Sequence, residues 1–280
     1  MYDYKKYNEQ KYAEDYWVIN RSPYKWFSNY TKLRIFKKFS RGIKNKKVFL
    51  DVGGGVGNWA FHFLKEFNKV IVLDVSKKAL SKIPEKEITK LEGSATKIPL
   101  KNSSVDCILL ADVLEHIHPR DLDKVVRELK RILAKEGEII IYTSQYGYGI
   151  ELTLHRLFNS MQGRLMKGEI NEGHVNRMKF RELKQLFFKN GLEITNYYHY
   201  SIIFQQITDF IKDRLSSIIQ EKNKNRIRKG QELKNKLKQK TGFLPKAIFS
   251  IFSGISYLDI ILFGKLIPGS SIFLEIRHLK

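Results

Sequence analysis

Asp51 and the glycines at 53, 55 and 57 belong to the run Val48-Phe-Leu-Asp-Val-Gly-Gly-Gly-Val-Gly57, an apolar strand that ends beside a carboxylate and breaks into glycine at every second position. Glycine there permits positive φ and removes the Cβ atoms that would hold a ligand off the backbone. The carboxyl end of a strand is also where open α/β sheets take their ligands. The chemistry served is close binding of a small polar molecule. A nicotinamide or flavin fingerprint starting at Gly53 needs its third glycine at 58, where Asn58 stands, which argues against a dinucleotide. A second carboxylate, Asp74, closes the apolar run Lys69-Val-Ile-Val-Leu-Asp74. It lies about 20 residues beyond the loop, the separation at which an acidic side chain takes ribose hydroxyls. His116 and His118 follow a further apolar run, and histidine is the side chain suited to proton transfer in the physiological range, so they are the first candidates for a base if the acceptor is a hydroxyl. His155 and His174 are candidates to line an acceptor pocket, against an ordinary loop role. His116, His118, Asp112 and Asp121 can be drawn as metal ligands, but Pro119-Arg-Asp-Leu122 fits the start of a helix better, and no metal is expected.

The elements that must position these residues alternate. After the first strand comes a short helical stretch from Asn58 to Glu66, then the strand ending at Asp74, a third segment from Ile88 to Leu100, and a fourth strand running from Val105 into Ala111-Asp112-Val113-Leu114-Glu115-His116-Ile117. A fifth strand spans Glu138 to Tyr142. A helix from Lys179 to Lys189 ends on Asn190-Gly191, a C-cap, and leads into a sixth strand over Leu192 to His199; Ser271 to Arg277 supplies the seventh. Strands alternating with helices predict a parallel sheet.

Taken in order, these pieces resemble the class I S-adenosylmethionine-dependent methyltransferases, especially the broad group acting on small molecules, lipids and sugars. The resemblance is clear over roughly residues 45 to 145. It implies an α/β three-layer sandwich with a Rossmann-like, mostly parallel seven-stranded sheet whose seventh strand is antiparallel, and S-adenosyl-L-methionine as cofactor. By the same resemblance Asp51 to Gly57 wraps the amino-acid part of the cofactor, Asp74 with Val75 holds the ribose, and the turn at Gly93-Ser94-Ala95-Thr96 contacts adenine. The segment from Leu110 through Ala111 and Asp112 to His116 lies beneath the methionine sulfur, and the Glu115-His116 pair is commonly a scaffold element. The chain departs from the family at Ser94, where an acidic residue is frequent; a neutral hydroxyl holds the adenine amino group less firmly than a carboxylate.

The chain has 280 residues with 42% hydrophobic composition, enough for one catalytic domain with insertions. The start of the sequence lacks the apolar core of a signal peptide. The lone Cys107 excludes an internal disulfide and a cysteine metal cluster and reads as a small core residue. A net charge of +22 from 51 Lys and Arg against 29 Asp and Glu points to an anionic partner: nucleic acid, an acidic membrane surface or a phosphorylated substrate. The excess is partly local, with twelve basic and three acidic residues between Ile211 and Lys246.

Domain boundaries follow from these runs: an aromatic N-terminal lid over 1–44, the cofactor domain over 45–200 and 269–280, and a basic and apolar helical insertion over 201–268 between the sixth and seventh strands. The insertion contains Ala247 to Gly264, apolar except for Asp259. A basic helix beside an apolar one suits the face of an anionic membrane, and packing on the domain's own core or on a second copy suits the apolar part equally. The N-terminal aromatics serve either as a lid or as a packing layer on the sheet edge. The expected protein is therefore cytoplasmic, with peripheral contact to an anionic membrane, and moves a methyl group to an O, N or C atom of a small, lipid or lipid-linked acceptor. The alternatives are an RNA methyltransferase and a non-catalytic module of the same fold that binds membrane or RNA.

Overall fold

The computed structural model describes residues 27–145, 174–200 and 246–280. In chain order its elements are α1 (Phe27–Ser40), β1 (Val48–Val52), β2 (Lys69–Asp74), α2 (Lys77–Ser81), β3 (Ile88–Glu92), β4 (Val105–Ala111), α3 (Leu122–Ile132), β5 (Leu133–Ser144), α4 (Phe180–Lys189), β6 (Leu192–Tyr200), α5 (Lys246–Phe263) and β7 (Ser271–His278). The strands form one seven-stranded sheet in the order β3-β2-β1-β4-β5-β7-β6. β1 pairs in parallel with β2 and β4, β2 with β3 and β4 with β5, whereas β7 runs antiparallel to both β5 and β6. The expected α/β sandwich with an antiparallel seventh strand is the fold observed.

The central strands β1, β2 and β4 read as nearly unbroken apolar runs because both faces of the sheet are covered. On one face Leu50, Ile71, Ile108 and Ile139 pack with Val125, Val126 and Leu129 of α3 and Leu183 and Phe187 of α4. The alternate residues Phe49, Val70, Cys107 and Ile140 turn to the other face, where Ile35, Phe36 and Phe39 of α1 and Phe63 cover them. Cys107 is fully buried there, as a small core residue should be.

The sequence reading differs from the structure in element bounds. The helix expected from Asn58 to Glu66 is reduced to a single 3-10 turn over Ala60–Phe63. The amide of Ala60, which in the first turn of a helix begun at Asn58 has no helical carbonyl to meet, donates to the Asp51 carboxylate at 3.2 Å. β4 stops at Ala111 because Asp112 takes φ +57°, a left-handed conformation that ends the ladder. Helix α4 ends as expected, with Gly191 at φ +74°. Of the expected N-terminal lid, residues 1–26 lie outside the described residues, as do residues 201–245 of the expected insertion.

Candidate functional site

The site is built first from backbone. Parallel pairing sets Asp51 opposite Val72 and Val52 opposite Leu73, so the two carboxylates emerge at the same edge of the sheet. The loop then doubles back. The amides of Gly53 and Gly54 both donate to the Leu73 carbonyl, at 2.7 and 3.2 Å, and Gly57 donates to the Gly54 carbonyl at 2.8 Å. Gly53, Gly55 and Gly57 hold φ of +70°, +54° and +73°, values a side chain would oppose.

Asp74 is gripped from two sides, its Oδ2 accepting from the Gly55 amide at 2.9 Å and its Oδ1 from the Ser76 amide at 2.8 Å. The glycine loop and the second carboxylate are therefore one rigid unit. Asp51 is 1% exposed beneath the loop. Burial pushes its carboxyl up to about 8, the nearby Asp74 charge adds to the rise, and the Ala60 amide opposes it. Near neutral pH, Asp51 keeps its proton for much of the time.

The neighbouring positions stand along the same edge. Val75 is half-buried, and Ser76 caps α2 by accepting from the Ala79 amide at 3.1 Å. The Ser94 hydroxyl accepts from the Thr96 amide at 3.2 Å and lies 2.9 Å from the Thr96 hydroxyl, so it stabilises its own turn while remaining exposed; Ala95 packs half-buried against the core. At the end of β4, Ala111 is half-buried. Asp112 donates its amide to the Tyr142 carbonyl at 2.9 Å, and its carboxylate lies 3.5 Å from Lys32 Nζ. That ammonium sits 3.9 Å from the centre of the Tyr142 ring, so α1 reaches the site through a cation held between a carboxylate and an aromatic face.

Beyond β4 the construction changes from backbone to side chains. Glu115 is 2% exposed. Its carboxylate accepts from the Thr143 hydroxyl at 2.8 Å, the Ser144 hydroxyl at 3.0 Å and the Ser144 amide at 3.3 Å. Its carbonyl accepts from the amides of Val175 and Asn176 at 3.0 and 3.1 Å. Burial, and secondarily the Asp112 charge, raises the Glu115 carboxyl to about 7. This tie brings His174 to His116, the ring centres being 4.9 Å apart and edge to face, and Arg177 Nη2 lies 3.1 Å from His174 Nδ1. His118 instead faces solvent, its Nδ1 accepting from the Arg120 amide at 3.4 Å at the start of a 3-10 turn over Pro119–Asp121. Asp121 pairs with Lys124. Among the described residues, no group of three or more His, Cys, Asp or Glu side chains gathers to hold a metal ion. His155 lies outside the described residues.

Sequence reasoning missed three contributors. Gly54 reads as a spacer between two functional glycines, yet a Cβ there would stand 2.6 Å from Asp51 Cγ. Lys32 lies in a lysine-rich helix, and nothing in its spacing marks it. Glu115 is visible beside His116, but its bonds to Thr143 and Ser144 join positions far apart in the chain.

Residues 50–141 match the family described as the methyltransferase domain. Over 126 residues the chain is 36% identical to an uncharacterized protein of Methanocaldococcus jannaschii, covering 41% of this chain and 54% of that one. Over 118 residues it is 28% identical to norajmaline N-methyltransferase of Rauvolfia serpentina, covering 39% of this chain and 40% of the relative. The chain thus spans about half the length of the curated relatives it matches. Among solved structures, phosphoethanolamine N-methyltransferase 2 of Haemonchus contortus, in complex with S-adenosyl-L-methionine, shares the fold with a TM-score of 0.53 at 16% identity, over 89% of this chain and 52% of that one.

Proposed function

We propose that this chain, whose residues 50–141 match a methyltransferase domain, is a class I S-adenosylmethionine-dependent enzyme that moves a methyl group to an O, N or C atom of a small, lipid or lipid-linked acceptor by in-line displacement. The observation that carries this reading is the joined loop and carboxylate: three glycines at positive φ, with the Gly55 amide locking Asp74. These residues fit S-adenosylmethionine, since the loop offers backbone at close range and Asp74 offers a fixed acceptor for ribose hydroxyls. When bound, that cofactor supplies a methyl group already activated on a sulfonium.

What the chain must do is hold things still. The loop Asp51 to Gly57 binds and orients, Asp74 and Val75 fix the ribose side, Ser94 and Ala95 take the adenine side, and Ala111 and Asp112 floor the reacting end. Catalysis then rests mainly on positioning the acceptor atom in line. For a hydroxyl acceptor, a ring nitrogen of His116 takes the proton, with His174 against it and Glu115 anchoring the loop; His118 is the second candidate for that role. Support for a small or lipid acceptor comes from the methyl acceptors that the relatives' names print and from the +22 charge, which suits phosphate-bearing molecules and peripheral contact with an anionic membrane. RNA is the rival acceptor, favoured by a groove lined by Arg127, Lys130 and Lys189 with Phe188 exposed beside them.

The test is mass spectrometry of lipid, small-molecule and RNA fractions incubated with the protein and isotopically labelled cofactor. Label is expected in the first two. Label in RNA alone would replace the acceptor class, and label nowhere, with no S-adenosylhomocysteine binding by calorimetry, would end the reading. In the same calorimeter Asp74→Ala should weaken S-adenosylhomocysteine by about 1–3 kcal/mol through lost charge-assisted bonds.

A further inference from the structure

Helix α5 is built inside out. Of the eight large hydrophobic side chains exposed among the described residues, five lie on this helix and the turn after it: Ile255, Leu258, Leu262, Phe263 and Leu266, the last being 77% exposed. Positions 255, 258 and 262 follow steps of three and four, so they form one stripe, and Leu266 stands exposed in the turn beyond the helix. The opposite side, which packs on α1 and β6, buries Ser253, Ser256 and Ile260, and the Arg34 guanidinium stacks 3.8 Å from the centre of the Tyr257 ring; Asp259, four residues from Ile255 and three from Leu262, lies on the stripe's side and is buried there. A helix at a water interface puts leucine inward and serine outward. This one exposes a run of large apolar side chains, a patch of the kind that marks a contact with an apolar partner.

We propose that the outer face of α5, through Leu258, Leu262 and Leu266, docks on the surface of an anionic lipid bilayer. Charge decides between a bilayer and a second copy of this chain. The helix follows a stretch carrying twelve basic and three acidic residues between Ile211 and Lys246, and Lys265 stands exposed just beyond its end. A second copy would bring the same excess, +22 against +22, whereas anionic headgroups complement it. Among the described residues no helix is long and apolar enough to cross a membrane, so α5 lies in the interface plane. The contact is also well placed: the His199 amide donates to the Gly264 carbonyl at 2.7 Å, fixing the end of α5 at the carboxyl edge of β6, the same edge of the sheet that carries the glycine loop.

Docking stands apart from methyl transfer, and its test needs no cofactor. The full chain is floated with phosphatidylcholine vesicles with and without phosphatidylglycerol, at low and high salt. The wild type should float with the anionic vesicles and retain part of that binding in salt. The triple variant Leu258→Ser, Leu262→Ser, Leu266→Ser should lose the salt-resistant part by about tenfold or more, the loss expected for even one leucine returned to water. In a Leu262→Trp variant, tryptophan emission should shift to the blue on adding anionic vesicles. The proposal is overturned if the triple variant floats as well as the wild type, or if that emission stays unchanged. It is equally overturned if sedimentation shows a wild-type dimer that the triple variant splits while neither protein floats. Retained S-adenosylhomocysteine binding in the triple variant keeps a docking failure distinct from a failure of the methyltransferase reading.

Discussion

The two halves of the sheet solve the problem of building a site in different materials. In the half formed by β3, β2, β1 and β4, backbone amides of Gly55, Ser76 and Ala60 grip two buried carboxyls. Toward β5, side chains do the gripping, Glu115 being tied to Thr143 and Ser144, and His116 lying against His174 and Arg177. A site made of backbone needs particular glycines at particular places, and so it leaves a motif. One made of side chains can be assembled in many ways and leaves none. Cofactor handling can thus stay constant while acceptor choice diverges within one fold.

The division breaks if the side-chain half proves dispensable. His116→Gln should lower kcat by about 10²- to 10⁴-fold for a hydroxyl acceptor while S-adenosylhomocysteine affinity is unchanged. A loss below about tenfold would leave positioning as the whole mechanism and move the acceptor half's contribution elsewhere. The backbone half is sharpened by Gly54→Ala. The added methyl meets the Asp51 carboxyl, and overpacking of this kind costs about 1–3 kcal/mol in urea unfolding, with weakened S-adenosylhomocysteine binding alongside. Wild-type behaviour in both measurements would show that the loop does not rest on Asp51.

The smallest effect is a pH slope. Burial raises the folded-state values of Asp51 to about 8 and of Glu115 and Glu138 to about 7. The folded chain then holds protons that the unfolded chain has released, so stability is lost as pH rises toward those values. His199 acts oppositely, burial lowering it to about 4, so its contribution improves as pH climbs from about 4 to 6.5 and is constant above. Between pH 6.5 and 8 only the carboxyls remain, and Tm should fall. Asp51→Asn should flatten that fall, and an identical slope in the variant would mean that Asp51 is ionised in the folded protein.

Legibility in the sequence follows the same division. Asp51, the odd-numbered glycines and Asp74 are readable because strand ends and turns impose their residue types locally. The central strands β1, β2 and β4 are readable because burial on both faces makes each largely an apolar run. Gly54 is not, since its constraint is a neighbour's side chain and not its own φ. Lys32 meets Asp112 across 80 residues of chain, and Glu115 meets Ser144 across 29; contacts of that kind depend on the fold being complete. α5 is readable as an apolar helix from Ala247 to Gly264, but only the structure shows that Ser253 and Ser256 face inward.

The place of β7 has a consequence for how the chain folds. This strand follows β6 in sequence yet lies between β5 and β6, pairing Ser144 with Ser271 and Ser271 with Tyr200. Until it arrives, β5 and β6 both present unpaired edges, and the pairing that joins them closes a loop from residue 144 to residue 271. Pairings of such long sequence separation form late. The parallel core with its glycine loop can therefore assemble first, leaving β5 as an exposed template to which another chain's strand can add during synthesis. A lysine-rich chain with a large like charge resists that misassembly by repulsion between copies.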